Sequence, residues 1–492
     1  IVSEGAAPNQ GAYARAADEE GDAVPHLALR SPDLYKDWVF DRQHVIQWDS
    51  FGNTANSPIR IDLYRDTPEG PALLATLVNE TLDDGAYTWI PSEHPATRDL
   101  LDYGFHGLRV QISYADDARV LDRSTEPFSL PEEGNLFYVD DASNVNDEYT
   151  PGAVGSNRNT GKAPEAPKPN PVNVLRTYDV DDPDSGGVLY VDTGLYPLID
   201  PVSVSGSVDQ GFGLEEGFTL TGPADTAKTV TFTTAIPGAL PVALVDISDA
   251  DFMAVRNIEL VGAQRGLWVH GGSNNFSAGY LTAHHQTEYG LYIETNSPAS
   301  TLDHLVVHDT GNSYYDAGIY ISGPIGWLTN SVAYNNAGYG LDLEGTGNGR
   351  VEGGEFYGNR IGIYAYNTVA GTTTTIGSTD LAAGDGNIVH NNALYGIEAQ
   401  GRVLVAGNTV YGHTDPYYGI GISLGSATTT ADSNVVFGNR DAIVGYGDML
   451  RNRVYNNERY GLYLTYYGSS GTIGENVVYS NDLGIYVSAY YS

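Results

Sequence analysis

From residue 257 to residue 492 the chain repeats one phrase, and that repetition limits the folds open to it. The phrase is Gly, then Ile or Leu, then a variable and often aromatic residue, then an aliphatic one. It reads Gly266-Leu-Trp-Val269, Gly290-Leu-Tyr-Ile293, Gly318-Ile-Tyr-Ile321, Gly340-Leu-Asp-Leu343, Gly362-Ile-Tyr-Ala365, Gly396-Ile-Glu-Ala399, Gly421-Ile-Ser-Leu424, Gly461-Leu-Tyr-Leu464 and Gly484-Ile-Tyr-Val487, with Ala442-Ile-Val-Gly445 a degenerate copy. The usual step is about 22 residues, and a fixed period of that size is the signature of a solenoid. A second phrase, Asn-x-Val-aromatic-x-Asn, precedes several of the glycines, as in Asn434-Val-Val-Phe-Gly-Asn439, Asn452-Arg-Val-Tyr-Asn-Asn457 and Asn476-Val-Val-Tyr-Ser-Asn481.

Both phrases alternate aliphatic with polar or aromatic residues, which is the period of a strand and not of a helix. One period holds about three short strands separated by Asn and Gly corners. Stacked coils of this kind form parallel sheets whose inward Val, Ile and Leu make one continuous core. At each corner an Asn amide can bond the equivalent Asn one coil away, and Asn tolerates left-handed backbone geometry. The expected fold class is all-β: an N-terminal Ig-like β-sandwich followed by a right-handed parallel β-helix.

These paired phrases resemble the right-handed parallel β-helix repeats of the pectate-lyase-like superfamily, especially its Asn/Gly-rich surface members. The resemblance implies the fold and leaves the function open, because lyases, hydrolases, epimerases, tailspikes and adhesins share such repeats.

Four segments are expected: a leader over residues 1–31, flexible or docked on a neighbour; a β-sandwich over 32–130; a linker and N-terminal cap over 131–187; and the β-helix over 188–492. In the second segment, Val45–Trp48, Ile59–Leu63, Ala86–Trp89, Leu108–Ile112 and Phe128–Leu130 are short alternating runs separated by turn residues, the spacing of a sandwich. Trp48-Asp-Ser50, Asp84-Gly-Ala-Tyr-Thr-Trp-Ile-Pro91 and Ser124-Thr-Glu-Pro-Phe128 resemble phrases of the non-catalytic sandwich in the Ser/Thr-rich GPI-anchored cell-wall family. Trp48 and Trp89 are read as core plugs. In the third segment, Asn170-Pro171 begins a short helix, with Asn as N-cap and Pro at its first position.

Lys+Arg 24 against Asp+Glu 62 leaves a net charge of −38. Such a surface repels nucleic acid and anionic membranes, so neither is an expected partner. A hydrophobic fraction of 41% is that of a globular chain. With no cysteine, thiol catalysis, zinc–thiolate sites and disulfides are excluded. No run reaches the roughly 20 apolar residues of a membrane-spanning helix. The opening at Ile1, without Met, suggests that a leader has been removed, and a secreted or cell-surface location is expected.

Candidate chemistry concentrates in the early coils, at His284, His285, His304, His308, Asp309 and Tyr315. Tyr, His and Asp on neighbouring coils could supply the acid and base for proton abstraction from a sugar. Against this, His308 shares its place in the repeat with Tyr334, Tyr357, Tyr411, Phe437, Tyr455 and Tyr479, which makes it one rung of an exposed aromatic ladder. A second outward column comprises Trp268, Tyr292, Tyr320, Tyr364, Tyr463 and Tyr486. The Asp-Pro-His of alginate epimerases, the Gly-His-Gly of polygalacturonases and the Arg and calcium-carboxylate set of pectate lyases are not found. No cofactor is expected. Calcium could bind at Asp181, Asp182 and Asp184, but their spacing fits no EF-hand loop, and a solvated turn is the preferred reading.

The sequence thus points first to an extracellular scaffold that self-associates through an uncapped C-terminal coil, or adheres. The alternatives are a lyase or C5-epimerase acting on an acidic polysaccharide and a carbohydrate-binding protein without catalysis.

Overall fold

The computed structural model describes residues 25–32, 38, 40, 42–52, 57–66, 71–98, 108–125, 128, 130, 135–178, 187–205, 217–225, 227–235, 241–379, 384–466 and 471–489. It divides into two compact units, the first comprising residues 1–136 with 180–188 and 215–218, and the second the remainder.

The first unit is built of two antiparallel sheets. One is three-stranded and pairs β1 (His26–Ser31) with β2 (His44–Phe51), and β2 with β5 (Ala86–Trp89). The other is four-stranded, in the order β4 (Ala72–Thr81), β3 (Ile59–Arg65), β6 (Leu108–Tyr114), β7 (Leu121–Arg123). Alternation along the strands sends Ile46, Trp48, Ile59, Ile61, Leu63, Val110 and Ile112 into one core. Trp48 and Trp89 are both buried there, and each indole N–H finds a partner, Asp83 Oδ1 at 2.8 Å and Thr97 Oγ1 at 3.3 Å. Four of the five expected runs are strands. Phe128 makes only an isolated bridge to Leu108. Three strands went unread, and β1 lies inside the stretch assigned to the leader.

In the second unit, three parallel sheets run the length of a β-helix. Among the described residues they hold 12, 12 and 13 strands. The glycine phrases form one sheet, from Val202–Ser205 to Leu483–Ala489, and the asparagine phrases another, from Gly194–Leu198 to Val477–Tyr479. The third begins at β8 (Leu136–Val139) and ends at Ile473–Gly474. The helix foreseen at Asn170-Pro171 is α1 (Pro171–Leu175): Asn170 Oδ1 accepts from Asn173 N at 3.0 Å, and Val174 is fully buried.

Register explains the repeat. Leu267, Leu291, Ile319, Leu341, Ile363, Ile397, Ile422, Ile443 and Leu462 lie in one inward column, every member at 0% exposure. The recurring glycine is a requirement of close approach. A Cβ on Gly362 would sit 2.6 Å from the Gly396 carbonyl oxygen, 2.6 Å from Asn392 Nδ2 and 2.7 Å from Val389 Cγ1.

The corner asparagines bond coil to coil, as expected. Asn434 N and Nδ2 both donate to Asn452 Oδ1 at 3.0 Å, while Asn434 Nδ2 also reaches Val405 O on the preceding coil. Left-handed geometry, however, falls on a different residue. In the column ending Asn336, Asn392 and Asn457, the positive φ belongs to the residue just before each, Asn335, Asn391 and Asn456. Two neighbouring positions thus share the work that the sequence suggested for one.

Candidate functional site

The asparagine-phrase sheet carries one stack of rings. Cross-strand register places His284, His308, Tyr334, Tyr357, His390, Tyr411, Phe437, Tyr455 and Tyr479 in one column. Consecutive centroids are 4.7–5.1 Å apart with planes within 14°. That is the strand separation itself, so the sheet dictates the stack.

The histidine candidates are thereby accounted for one at a time. His284 and His308 are rungs of this column. His285 and Asp309 occupy the left-handed corner after it, with φ of 62° and 50°, the places held elsewhere by Asn335 and Asn391. His304 takes a left-handed corner on the third sheet, with φ of 50°, and its Nδ1 bonds Asp303 Oδ2 at 2.5 Å. Tyr315 is exposed and packs on Tyr314. Four of the six are brought together: His284 Nδ1 lies 2.6 Å from His285 Nδ1, His284 stacks on His308 at 4.9 Å, and His308 Nδ1 bonds Asp309 Oδ2 at 2.8 Å, while His304 and Tyr315 stand apart from them. Asp181, Asp182 and Asp184 lie outside the described residues. Among those described, no group of three or more His, Cys, Asp or Glu is arranged to hold a metal ion, and no helix is long and apolar enough to cross a membrane.

A different site stands on the glycine-phrase sheet. Its variable slot reads, coil by coil, Asp246, Trp268, Tyr292, Tyr320, Asp342, Tyr364, Glu398, Ser423, Val444, Tyr463 and Tyr486. The second aromatic column is therefore interrupted. Tyr292 and Tyr320 stack at 4.6 Å, and Arg265 lies over both Trp268 and Tyr292. Then Asp342 breaks the row, and Glu398 breaks it again after Tyr364.

Asp342 is only 7% exposed, and its Oδ1 is buried without a hydrogen-bond partner. Tyr320 and Tyr364 flank it in the register, and Tyr339 stands three residues earlier on its own strand. Burial first, then the charges of Glu344 and Glu398, pushes its carboxyl up to about 7. Burial also raises Glu398, against the opposing effects of the Gln400 hydrogen bond and the Arg360 charge. Glu344 accepts from Tyr320 Oη at 3.2 Å. The tyrosines are held in their neutral form: burial, with nearby carboxylates, pushes Tyr292 and Tyr364 up to about 12.

The arrangement can do two things. A carboxyl titrating near neutrality can donate a proton, and a neighbouring carboxylate can accept one. The row of half-buried rings offers flat apolar faces with hydroxyl edges. The sequence holds one sign of this site, an acidic residue in a slot that is otherwise mostly aromatic. Its burial and its shifted titration depend on which coils lie beside it.

The family described as right handed beta helix region matches residues 265–436. The repeats are those of a right-handed parallel β-helix. Among solved structures, the chain is similar to the A-module of a mannuronan C-5 epimerase from Azotobacter vinelandii, at 17% identity and a TM-score of 0.44, over 62% of this chain and 89% of that one. It is also similar to a pectate lyase, at 14% identity and a TM-score of 0.33, over 70% of this chain and 79% of the other. A third is the catalytic domain of a GH87 α-1,3-glucanase in complex with tetrasaccharides, at 10% identity and a TM-score of 0.30, over 95% and 89%. Nothing among the curated proteins matches.

Proposed function

We propose that this right-handed β-helix protein binds a polysaccharide along the tyrosine row of its glycine-phrase sheet and cleaves it by acid–base catalysis at Asp342. The observation that carries the reading is the Asp342 carboxyl: buried, unpartnered at Oδ1, and pushed up to about 7 by burial and by the charges of Glu344 and Glu398. In this role it protonates the departing glycosidic oxygen, and Glu398 or Glu344 activates water. Two strands across a sheet separate Asp342 from Glu398 by about 9.5 Å, and two residues along a strand separate it from Glu344 by about 7 Å. Hydrolysis with inversion needs carboxyls roughly 6.5–9.5 Å apart with water between them; Tyr364 stands in the register between Asp342 and Glu398, so Glu344, on the same strand with no ring between, is the favoured base.

The charge of the site argues about its substrate. Asp342, Glu344 and Glu398 lie together on a protein of net charge −38. A neutral glycan suits that field better than a polyuronate, whose carboxylates would be repelled. This departs from the scaffold expected first and from the acidic substrate of the lyase and epimerase alternative. A polysaccharide substrate is compatible with the secretion or surface display expected from the sequence.

The test is reducing-sugar release from a panel of neutral β- and α-glucans, mannans and xylans, run beside alginate and pectate. Release from a neutral glycan that is lost in Asp342→Asn supports the reading. Unsaturated or epimerised product from a uronate polymer, or unchanged activity in Asp342→Asn, overturns it.

A further inference from the structure

Where β8 ends, a loop of eight residues runs from Asp140 to Asp147. Both of its ends are gathered by a single residue. Asp192 donates its backbone N–H to Val139 O at 2.8 Å, beside Asp140. Its carboxylate, fully buried, accepts from the backbone N–H groups of Glu148, Tyr149 and Thr150 at 2.8, 2.7 and 2.6 Å, beside Asp147. Thr193 N and Thr150 Oγ1 complete its shell at 2.8 and 2.9 Å. Asp141 is likewise engaged, accepting from Ser143 N at 2.6 Å and Leu195 N at 3.2 Å.

Those two carboxylates are satisfied by the protein. Asp140 and Asp147 are not. Asp140 is 0% exposed, and neither of its oxygens has a hydrogen-bond partner; the two oxygens of Asp147 are buried and equally unpartnered. The nearby cation, Lys228, is paired with Glu148 at 3.2 Å. Four carboxylate oxygens therefore lie in one another's field without a hydrogen bond of ordinary geometry, the backbone N–H of Asp141 giving Asp140 only a minor offset, while nearly every other buried polar group among the described residues is satisfied. Burial, then the charges of Asp147, Asp141 and Asp192, pushes the Asp140 carboxyl up to about 7, which is the cost of leaving this group without a counter-ion.

We propose that Asp140 and Asp147 bind one calcium ion, which fastens the loop at the N-terminal end of the β-helix. The donors are hard oxygens with no imidazole or sulfur among them, which selects calcium or magnesium. An irregular loop that supplies two carboxylates, with carbonyl and water oxygens for the rest, suits the larger and less demanding calcium shell. Because only two of the four acids are uncommitted, the site is not one of three or more acidic side chains. The position is separate from the tyrosine row, and the ion has no part in the chemistry proposed there.

The experiment uses the full chain, stripped with EGTA and titrated with calcium or magnesium, read by calorimetric titration and by thermal melting. The expected result is one saturable calcium site above the weak binding of an acidic surface, a rise in melting temperature on adding calcium, and a smaller rise with magnesium. Asp140→Asn and Asp147→Asn should each lose the saturable site and the calcium-dependent rise. If Asp140→Asn fails to fold, Asp147→Asn, whose residue is only half-buried, decides alone. A wild-type chain with no saturable site, or a site and thermal rise retained in Asp147→Asn, overturns the proposal. Neither result bears on glycan cleavage, which Asp342→Asn tests separately.

Discussion

His413 bonds Asn439 across 2.7 Å, from Nδ1 to Oδ1, where a corner asparagine stands on the neighbouring coils. On its other side, Nε2 meets Asn392 Nδ2 at 3.2 Å. The two contacts assign the tautomer: Nδ1 carries the proton and donates, and Nε2 accepts from the amide. The ring is fully buried, and that burial pushes its pKa down to about 4.

A stability dependence on pH follows. The folded pKa lies below the unfolded value of 6.5, so the unfolded chain takes up the proton first as pH falls. The contribution is present above about pH 6.5 and is lost progressively toward pH 4, to the extent of roughly 2–3 kcal/mol. Replacing His413 by Asn restores the amide ladder and should flatten that slope. Melting curves of both proteins between pH 4 and 7 check it; parallel slopes would mean that the ring can reach solvent.

Asn457→Leu should destabilise by about 1–3 kcal/mol. Asn457 Oδ1 accepts from Asn439 N at 3.0 Å, and its Nδ2 donates to Asn481 Oδ1 at 2.8 Å, so two coils lose partners together. Denaturant unfolding is the measurement, and a mutant with the wild-type midpoint would refute the ladder.

Gly362→Ala should cost on the order of 1–3 kcal/mol, although alanine is small. The added methyl would lie within 2.7 Å of Gly396 O, Asn392 Nδ2 and Val389 Cγ1, and the next coil must move to admit it. The comparison is thermal melting beside Gly345→Ala, where a Cβ meets nothing within 4 Å but the φ of 65° strains any side chain.

Asp342 should set the alkaline limb of activity and of stability together. Its folded pKa of about 7 lies above the unfolded 3.8, so the neutral carboxyl's contribution is complete below pH 3.8 and is lost as pH rises through 7. Cleavage should fall above about pH 7 as the acid ionises. Asp342→Asn should abolish cleavage and, above pH 7, raise stability by on the order of 2–4 kcal/mol. Activity that holds constant to pH 9, or a variant no more stable than wild type at pH 8, counts against the assignment.

Tyr364→Ala should weaken glycan binding at least tenfold, while Tyr334→Ala in the nine-ring column should lower stability and leave binding unchanged. Affinity electrophoresis in gels containing the cleaved glycan separates the two effects. Equal loss of binding from both variants would mean that the wrong sheet has been assigned to the substrate.

The sequence by itself determined the coil. Gly-Ile-x-aliphatic and Asn-x-Val-aromatic are local patterns whose period translates directly into strands one coil apart, so the inward core, the amide ladder and the stack from His308 to Tyr479 were legible as columns, and the register adds His284 to that stack. Trp48 and Trp89 were equally legible as core residues, because a large ring in a short alternating strand has few other places to go. What the sequence could not decide was electrostatic environment. His285, Asp309 and His304 are a cluster of letters in the sequence, and only the backbone dihedrals place them at corners. Asp342 looks like an ordinary exception in a variable slot, yet Tyr320, Tyr364, Glu344 and Glu398 surround it from four successive coils, its own included. Asp140 and Asp147 look like part of an acidic loop until Asp192, some 45 residues on, takes the available N–H donors and leaves them bare. Burial and charge are sums over neighbours in space, and only the stacked coils say who those neighbours are.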